Sequence, residues 1–230
     1  AESHKIGFVG GIEYQKTTAS SYFAQATNLA DAFFGTNNII SNTFVTSQTG
    51  GGFGEEGFDS YFGRLNYAFK DRYLVTLTAR NDGLSRLPEA NRRGWFPGAS
   101  IGWRVSEEGF LRESSIRSVL SDLKLRASYA QVGNTNIGGN FYPYFSLFGP
   151  GRYASQNGIS YNRFGQFGNP NLRWESSQKK DVGVDLGFLD GRFTLSADYY
   201  RNDLSDLVLF VPTPLSFGVP SNGFNANIGE

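Results

Sequence analysis

Apolar and polar residues alternate with a period of two along seven segments of the chain, the pattern of β-strands with two different faces. In the segment 59–69, Tyr61 and Leu65 fall on one face, while Arg64 and Asn66 fall on the other. The alternation predicts strands near 4–16, 59–69, 72–82, 95–105, 122–133, 173–188 and 192–204, with an eighth beginning near Asn225. The sequence therefore predicts an all-β fold.

The predicted strands are joined by connections of very unequal length. Residues 70–72 and 189–191 are short enough to be the turns of antiparallel hairpins, and 106–121 has the pattern of a short helical turn. The remaining connections are long and rich in Gly, Asn, Ser or aromatic residues: 17–58, 83–94, 134–172 and 205–224. Long loops on one rim and short turns on the other are typical of a transmembrane antiparallel β-barrel, and loops of roughly 40 residues are uncommon in compact soluble domains.

Aromatic residues flank both short turns on the apolar face of their strands. They are Phe69 and Tyr73 at one turn and Phe188 and Phe193 at the other. An aromatic girdle at the periplasmic side of a membrane would have this placement, and the same parity makes four apolar residues lipid-facing: Leu65, Leu77, Val184 and Leu195. The alternative is that these residues form the core of a secreted β-sandwich that binds carbohydrate.

The opposite face of the predicted strands carries most of their charged side chains. The candidates are Arg64, Arg80, Arg104, Lys124, Arg126, Asp181, Asp185 and Asp198. A large barrel would direct them into a wet lumen, whereas a sandwich would direct them into bulk water. The alternation alone leaves both arrangements open.

Composition narrows the possible partners. The 21 basic and 21 acidic residues balance, so no net field favours nucleic acid. Cysteine is absent and His4 is the single histidine, so the chain has few residues suited to a transition-metal site and no thiol nucleophile. We expect no bound cofactor. The chain also lacks methionine and any signal-like first segment, and we expect it to be a piece of a longer protein.

Motifs of known enzymes find weak support. Residues 52–57 read Gly-Phe-Gly-Glu-Glu-Gly, but an alternating strand follows where a dinucleotide site needs a helix. The adjacent pairs Glu55-Glu56 and Glu107-Glu108 would point apart on an extended chain, which disfavours the paired carboxylates of a glycoside hydrolase. We expect no enzymatic activity, and a hydrolase fragment is the weakest alternative.

Four consecutive blocks resemble the SusC/RagA family of TonB-dependent outer-membrane transporters. The blocks are FGRLNYAFKDRYLVTLTARNDGLSR at 62–86, RGWFPGASIGWRVSEEGFL at 93–111, DLKLRASYAQVGN at 122–134 and GNPNLRWESSQKKDVGVDLGFLDGRFTLSADYY at 168–200. Their order and spacing carry the resemblance, which covers most of 58–204. The chain departs from the family pattern at residues 82–87, where the family often has a DGSSRF-like string, and at Ala130, where it often has Gly.

The resemblance implies that residues 1–230 belong to the barrel domain of such a transporter and supply seven to eight strands of a wall of about 22. It also implies a plug outside this chain, energy from TonB, and a SusD-like lipoprotein that covers the barrel. The expected cargo is an oligosaccharide or a peptide, and the expected location is the outer membrane of a Gram-negative, Bacteroidota-type bacterium.

The connection 134–172 is the candidate contact region. It has nine Phe and Tyr residues between 141 and 167, and such aromatic faces can stack on sugars or hold a partner protein. The candidate contact residues are Tyr142, Tyr144, Arg152, Tyr153, Tyr161 and Arg163. The alternative is that the aromatic residues only pack the loops against one another.

Overall fold

The computed structural model describes residues 3–29, 44–138, 141–152, 160–219 and 222–229 of the chain. Two compact units are present, one made of residues 1–15 and 58–230 and the other of residues 16–57. Among the described residues, no helix is both long enough and apolar enough to cross a membrane.

The secondary structure is almost entirely β. In chain order the strands are β1 His4–Leu29, β2 Phe44–Phe69, β3 Tyr73–Leu84, β4 Arg93–Arg104, β5 Leu120–Asn134, β6 Leu147–Arg152, β7 Ser160–Gln166, β8 Glu175–Phe188, β9 Phe193–Ser205, β10 Val208–Pro212 and β11 Gly223–Asn227. Seven of them form one sheet in the order β1-β2-β3-β4-β5-β8-β9, while β6 pairs with β7 and β10 with β11. Among the described residues, the helical elements are one turn of α-helix, α1 (Gly109–Arg112), and 3₁₀ turns at Glu89–Asn91, Val105–Glu107, Ser115–Ser118 and Leu215–Phe217.

Three predicted connections contain strands that the sequence pattern did not indicate. Most of the described part of 17–58 is strand, because β1 continues to Leu29 and β2 begins at Phe44. These extensions are rich in Thr, Ser and Gly and lack an apolar face, yet ladder hydrogen bonds need only the backbone. The connection 134–172 contains β6 and β7, and 205–224 contains β10, whose partner β11 begins close to the expected eighth strand but lies outside the main sheet.

Both short turns adopt the backbone twist that suits a hairpin. Lys70 and Asp71 have φ of 51° and 55°, and Leu189 and Asp190 have φ of 52° and 55°. Two left-handed residues in succession match the right-handed twist of the flanking strands. The connection 105–119 lies at the same rim, since the Arg104 amide donates to the Arg72 carbonyl (2.8 Å) and the Leu189 amide to that of Val119 (2.9 Å).

Strand register aligns the apolar residues of successive strands in rows. One row runs Phe69, Tyr73, Trp103, Leu125, Val184 and Ala197, and the next runs Tyr67, Val75, Ile101, Ala127, Val182 and Tyr199. Leu77, Ile101 and Leu195 on this face are 47%, 60% and 56% exposed. We call it the apolar face. A β-sandwich would bury it, so its exposure is the opposite of what that alternative requires.

The buried apolar cluster lies instead at the rim opposite the short turns. Its members are Leu84, Leu87, Phe96, Ile137, Leu172 and Trp174, with Phe58, Tyr144 and Val208 packed against them. The rings of Phe96 and Trp174 meet edge to face at 5.2 Å, and the Trp174 indole N–H donates to the Arg92 carbonyl at 3.1 Å. This cluster fixes the long connections to the strand ends.

Candidate functional site

The register places every predicted lumen-facing residue on one face of the main sheet, opposite the apolar face. Arg104, Lys124 and Asp185 lie in one row, and Arg126 and Asp198 lie in the next on either side of Gly183. Asp181 is in register with Ser128, Arg64 with Thr78, and Arg80 with Phe62 and Phe96. We call this the polar face.

An ion-pair network crosses three strands at the centre of the polar face. Arg126 on β5 forms a bidentate pair with Asp185 on β8 (2.8 and 3.0 Å) and reaches Asp198 on β9 at 2.9 Å. The Ser196 hydroxyl donates to Asp185 at 2.8 Å. Arg126 and Asp185 are about a third exposed, so the network remains open to solvent and to any solute.

A second network lies on the polar face of β1 to β3. The Arg80 guanidinium contacts Glu13 at 3.1 Å and Asp82 at 3.3 Å and lies 5.4 Å from the centre of the Phe62 ring. The Ser60 hydroxyl donates to Asp82 and is itself buried. Glu13, Ser60 and Asp82 are polar-face residues that the sequence pattern did not single out.

The other four candidates, Asp181 among them, are less constrained. Within the described part of the chain, Arg64, Arg104 and Lys124 make no ion pair. Lys124 lines a shallow concavity of about 340 Å³ on the polar face, together with Thr76, Ser100, Arg126, Ser128 and Asp181. This concavity presents ammonium, guanidinium, hydroxyl and carboxylate groups, which together suit a polar solute with both donors and acceptors.

The aromatic contact region is a β-hairpin. The rings of Phe148 on β6 and Phe164 on β7 are tilted by 34° with their centres 4.5 Å apart, and the two residues are 65% and 41% exposed. Phe164 contacts Phe167 at 5.9 Å, and Phe167 contacts Phe224 of β11 at 5.5 Å. Phe148, Phe164 and Phe167 form what we call the aromatic hairpin surface.

The predicted contact residues are distributed around this hairpin. Tyr142 is 37% exposed and its ring meets that of Tyr144 edge to face at 6.5 Å. Tyr144 also packs against the buried cluster, so part of its surface is structural. In backbone register, Arg152 is opposite Ser160, Tyr161 opposite Gly151 and Arg163 opposite Gly149. Tyr153 lies outside the described residues.

Glu108 joins the aromatic row at the short-turn rim to the connection that follows β4. Its carboxylate accepts hydrogen bonds from the Tyr73 hydroxyl (2.6 Å) and the Trp103 indole (3.0 Å), and it pairs with Arg72 at 3.3 Å. These hydrogen bonds, with that of Tyr73 the strongest, hold the pKa of Glu108 below its usual value. The neighbouring Glu107 pairs weakly with Arg117, so the two carboxylates have different partners.

The titratable residues that the sequence singled out have separate partners in the described parts of the chain. The ring of His4 contacts Tyr67 and Phe69 at the short-turn rim. Glu55 pairs with Lys16 at 2.8 Å in the smaller unit. Over the ranges that the structure describes, no three His, Asp or Glu side chains are grouped to hold a metal ion.

Comparison with known proteins identifies the family. The model of the family described as "TonB dependent receptor-like, beta-barrel" matches residues 3–230. The chain belongs to this family. The resemblance to SusC and RagA proteins noted in the sequence is confirmed, and the secreted β-sandwich is not the fold.

Individual relatives agree with this assignment. TonB-dependent receptor P3 of Formosa agariphila is 33% identical over 99% of this chain and 22% of its own length. TonB-dependent receptor SusC of Bacteroides thetaiotaomicron is 38% identical over 74% of this chain and 17% of its own length. The structure of the RagAB peptide importer in its closed-closed state aligns with this chain at a TM-score of 0.83 and 25% identity. The alignment covers 100% of this chain and 24% of the RagAB chain. The chain therefore spans about a fifth of its curated relatives.

Membership in the family indicates the cellular location and the functional class of the protein. TonB-dependent receptor barrels belong to the outer membrane of Gram-negative bacteria, and the family is one of receptors and transporters rather than enzymes. Barrels of this kind have an apolar exterior and a polar interior.

Proposed function

We propose that this chain forms part of the wall of a TonB-dependent nutrient importer of the SusC/RagA type, within the barrel domain. The observation that carries the proposal is the contrast between the two faces of one sheet. Leu77, Ile101 and Leu195 are exposed on the apolar face, while Arg126, Asp185 and Asp198 are linked on the other. A transmembrane barrel needs an apolar exterior and a polar interior, and the two faces of this sheet suit these requirements.

We propose that the cargo is an oligosaccharide or a peptide that passes along the polar face. The concavity there combines the hydroxyls of Thr76, Ser100 and Ser128 with the charges of Lys124 and Asp181. Hydroxyl or amide groups of a cargo would find donors and acceptors in it, and its mixture of charges favours neither a strongly anionic nor a strongly cationic solute.

The proposed partners follow from the same assignment. A SusD-like lipoprotein would cover the rim that carries the aromatic hairpin surface, and TonB would act through a plug region outside this chain. Exposed aromatic area supports a protein or sugar contact at this rim, because Phe148 and Phe164 would otherwise leave a pair of contacting aromatic rings in water.

A bulky residue in the concavity tests the import path. In the full-length transporter, Ser128→Trp should fill this part of the polar face and reduce uptake, whereas Tyr129→Trp on the apolar face should leave uptake unchanged. Both variants should insert normally, which heat-dependent mobility in gels would verify. Uptake of defined oligosaccharides and of defined peptides would be measured separately to assign the cargo. Normal uptake of both by a correctly inserted Ser128→Trp protein would contradict the proposed path.

The aromatic hairpin surface is tested by a double substitution. Phe148→Ser with Phe164→Ser removes the exposed pair of aromatic rings, and we expect less lipoprotein to co-purify or slower uptake. Leu215→Ser is the control, since Leu215 is an exposed apolar residue (78%) outside the aromatic hairpin surface. Unchanged co-purification and unchanged uptake in the double variant would leave the hairpin as loop packing.

A further inference from the structure

The connection from β4 to β5 carries apolar side chains that the buried cluster does not use. Phe110, Ile116 and Val119 are 67%, 55% and 56% exposed. They lie in or beside short helical turns, α1 at Gly109–Arg112 and the 3₁₀ turn at Ser115–Ser118. These three residues together expose apolar area that a non-aqueous partner would cover.

The fold fixes the start of this connection to the apolar face. Tyr73 and Trp103 belong to an apolar-face row, and both direct their polar groups to the Glu108 carboxylate at 2.6 and 3.0 Å. Glu108 immediately precedes α1, so the chain leaves β4 and crosses to the apolar side before the helical turn begins. The side chain of Glu108 is only 14% exposed, which shows how closely it is held.

The row that Glu108 joins has the composition of a membrane interface. The rings of Phe69 and Tyr73 lie 6.2 Å apart, those of Tyr73 and Trp103 lie 6.5 Å apart, and His4 lies 4.8 Å from Phe69. Aromatic residues with a polar group favour the boundary between acyl chains and headgroups. A segment held to this row is therefore at the depth of the headgroups.

The rest of the segment fits that depth. Arg112 is exposed, and Arg117 is anchored to the Ser106 carbonyl at 3.0 Å. Apolar side chains interspersed with arginines are suited to a surface that is apolar on one side and carries phosphates on the other. A lipid surface would cover this segment and the apolar-face row together, because the two are adjacent. A protein partner would not require them to be adjacent.

We propose that residues 108–119 are an interfacial anchor that lies in the phospholipid headgroup layer at the short-turn rim, with Phe110, Ile116 and Val119 directed into the lipid. Glu108 is its positioning residue. The anchor rests on the proposed function, because it needs the apolar face of the sheet to be in a membrane.

Site-directed spin labelling of the full-length transporter tests the anchor. Single cysteines at Phe110, Ile116 and Val119 would be compared with Ser115 and Ser118, in vesicles of phosphatidylethanolamine and phosphatidylglycerol. We expect labels at the three apolar positions to collide more with oxygen, which partitions into lipid, and labels at the two serines to collide more with a water-soluble nickel chelate. Glu108→Ala should shift the label at 110 towards the nickel chelate, and Glu108→Gln, which keeps an acceptor, should shift it less.

A label at Leu77 separates failure of the anchor from failure of the wall assignment. If that label is in lipid while those at 110, 116 and 119 are aqueous, the anchor is wrong and the proposed wall stands. An aqueous label at Leu77 in an inserted protein would overturn both. Lipid exposure at 110 that does not respond to Glu108→Ala would leave the anchor in place and remove Glu108 as its positioning residue.

Discussion

Glycine residues decide where side chains of neighbouring strands can meet across this sheet. Gly183 separates Arg126 from Asp198 in one row, and a methyl group there would overlap the Asp198 carboxylate. The guanidinium can therefore pass over β8 to reach the third strand. Gly133 makes room for an aromatic ring, because the ring of Phe96 occupies the space that a side chain at position 133 would need.

Gly133→Ala should destabilise the barrel. The added methyl would overlap the Phe96 ring, which is only 5% exposed and packs against Trp174, so the ring cannot simply turn into solvent. Overpacking of this kind costs roughly 1–3 kcal/mol. Unfolding of the purified full-length protein in denaturant would measure the loss. Gly149→Ala is the control, because no atom lies within 4 Å of the added methyl; equal stability of the two variants would contradict the packing described.

Single residues were easier to identify from the sequence than their partners. Arg126, Asp185 and Asp198 were assigned to the polar face by alternation alone, but β5 and β8 are separated by a long connection whose length hides the register. Glu13 and Arg80 are 67 residues apart and could not be paired without the strand order. A local pattern determines the face of a residue, whereas its partner depends on long-range pairing.

At the scale of the elements, strands that alternate strongly were predicted well. The segments 72–82, 122–133 and 192–204 differ by a few residues from Tyr73–Leu84, Leu120–Asn134 and Phe193–Ser205. The extensions of β1 and β2 were missed, because Thr, Ser and Gly form strands there without an apolar face. The hairpin β6–β7 was also missed, since Gly and Pro at positions 149–151 read as a loop.

Arginine substitutions on β3 test the two faces of that element. Leu77→Arg places a charge on the apolar face and should destabilise the inserted barrel by about 2–4 kcal/mol if the position lies near the bilayer midplane. Thr76→Arg should cost far less, because Thr76 borders the open concavity. Folding titrations of the two full-length variants in lipid vesicles would compare them. Equal destabilisation by both substitutions would contradict the assignment of faces.

At the scale of the whole molecule, the seven-stranded sheet is a piece of wall. Its outer strands, β1 and β9, each have one neighbour in the sheet, and such edges are stable in a membrane only when further strands pair with them. The family relatives are about five times as long as this chain, which is consistent with a barrel that other segments complete.

The central claim is that one face of the sheet contacts lipid and the other contacts an aqueous interior. The most direct measurement is the accessibility of single cysteines at Leu77 and Thr76, with Leu195 and Ser196 as an independent pair on β9, in the full-length transporter in outer membranes. The account predicts that a water-soluble maleimide labels positions 76 and 196 and that a lipid-phase reagent labels 77 and 195. The reverse pattern, or equal aqueous labelling of all four, would contradict it.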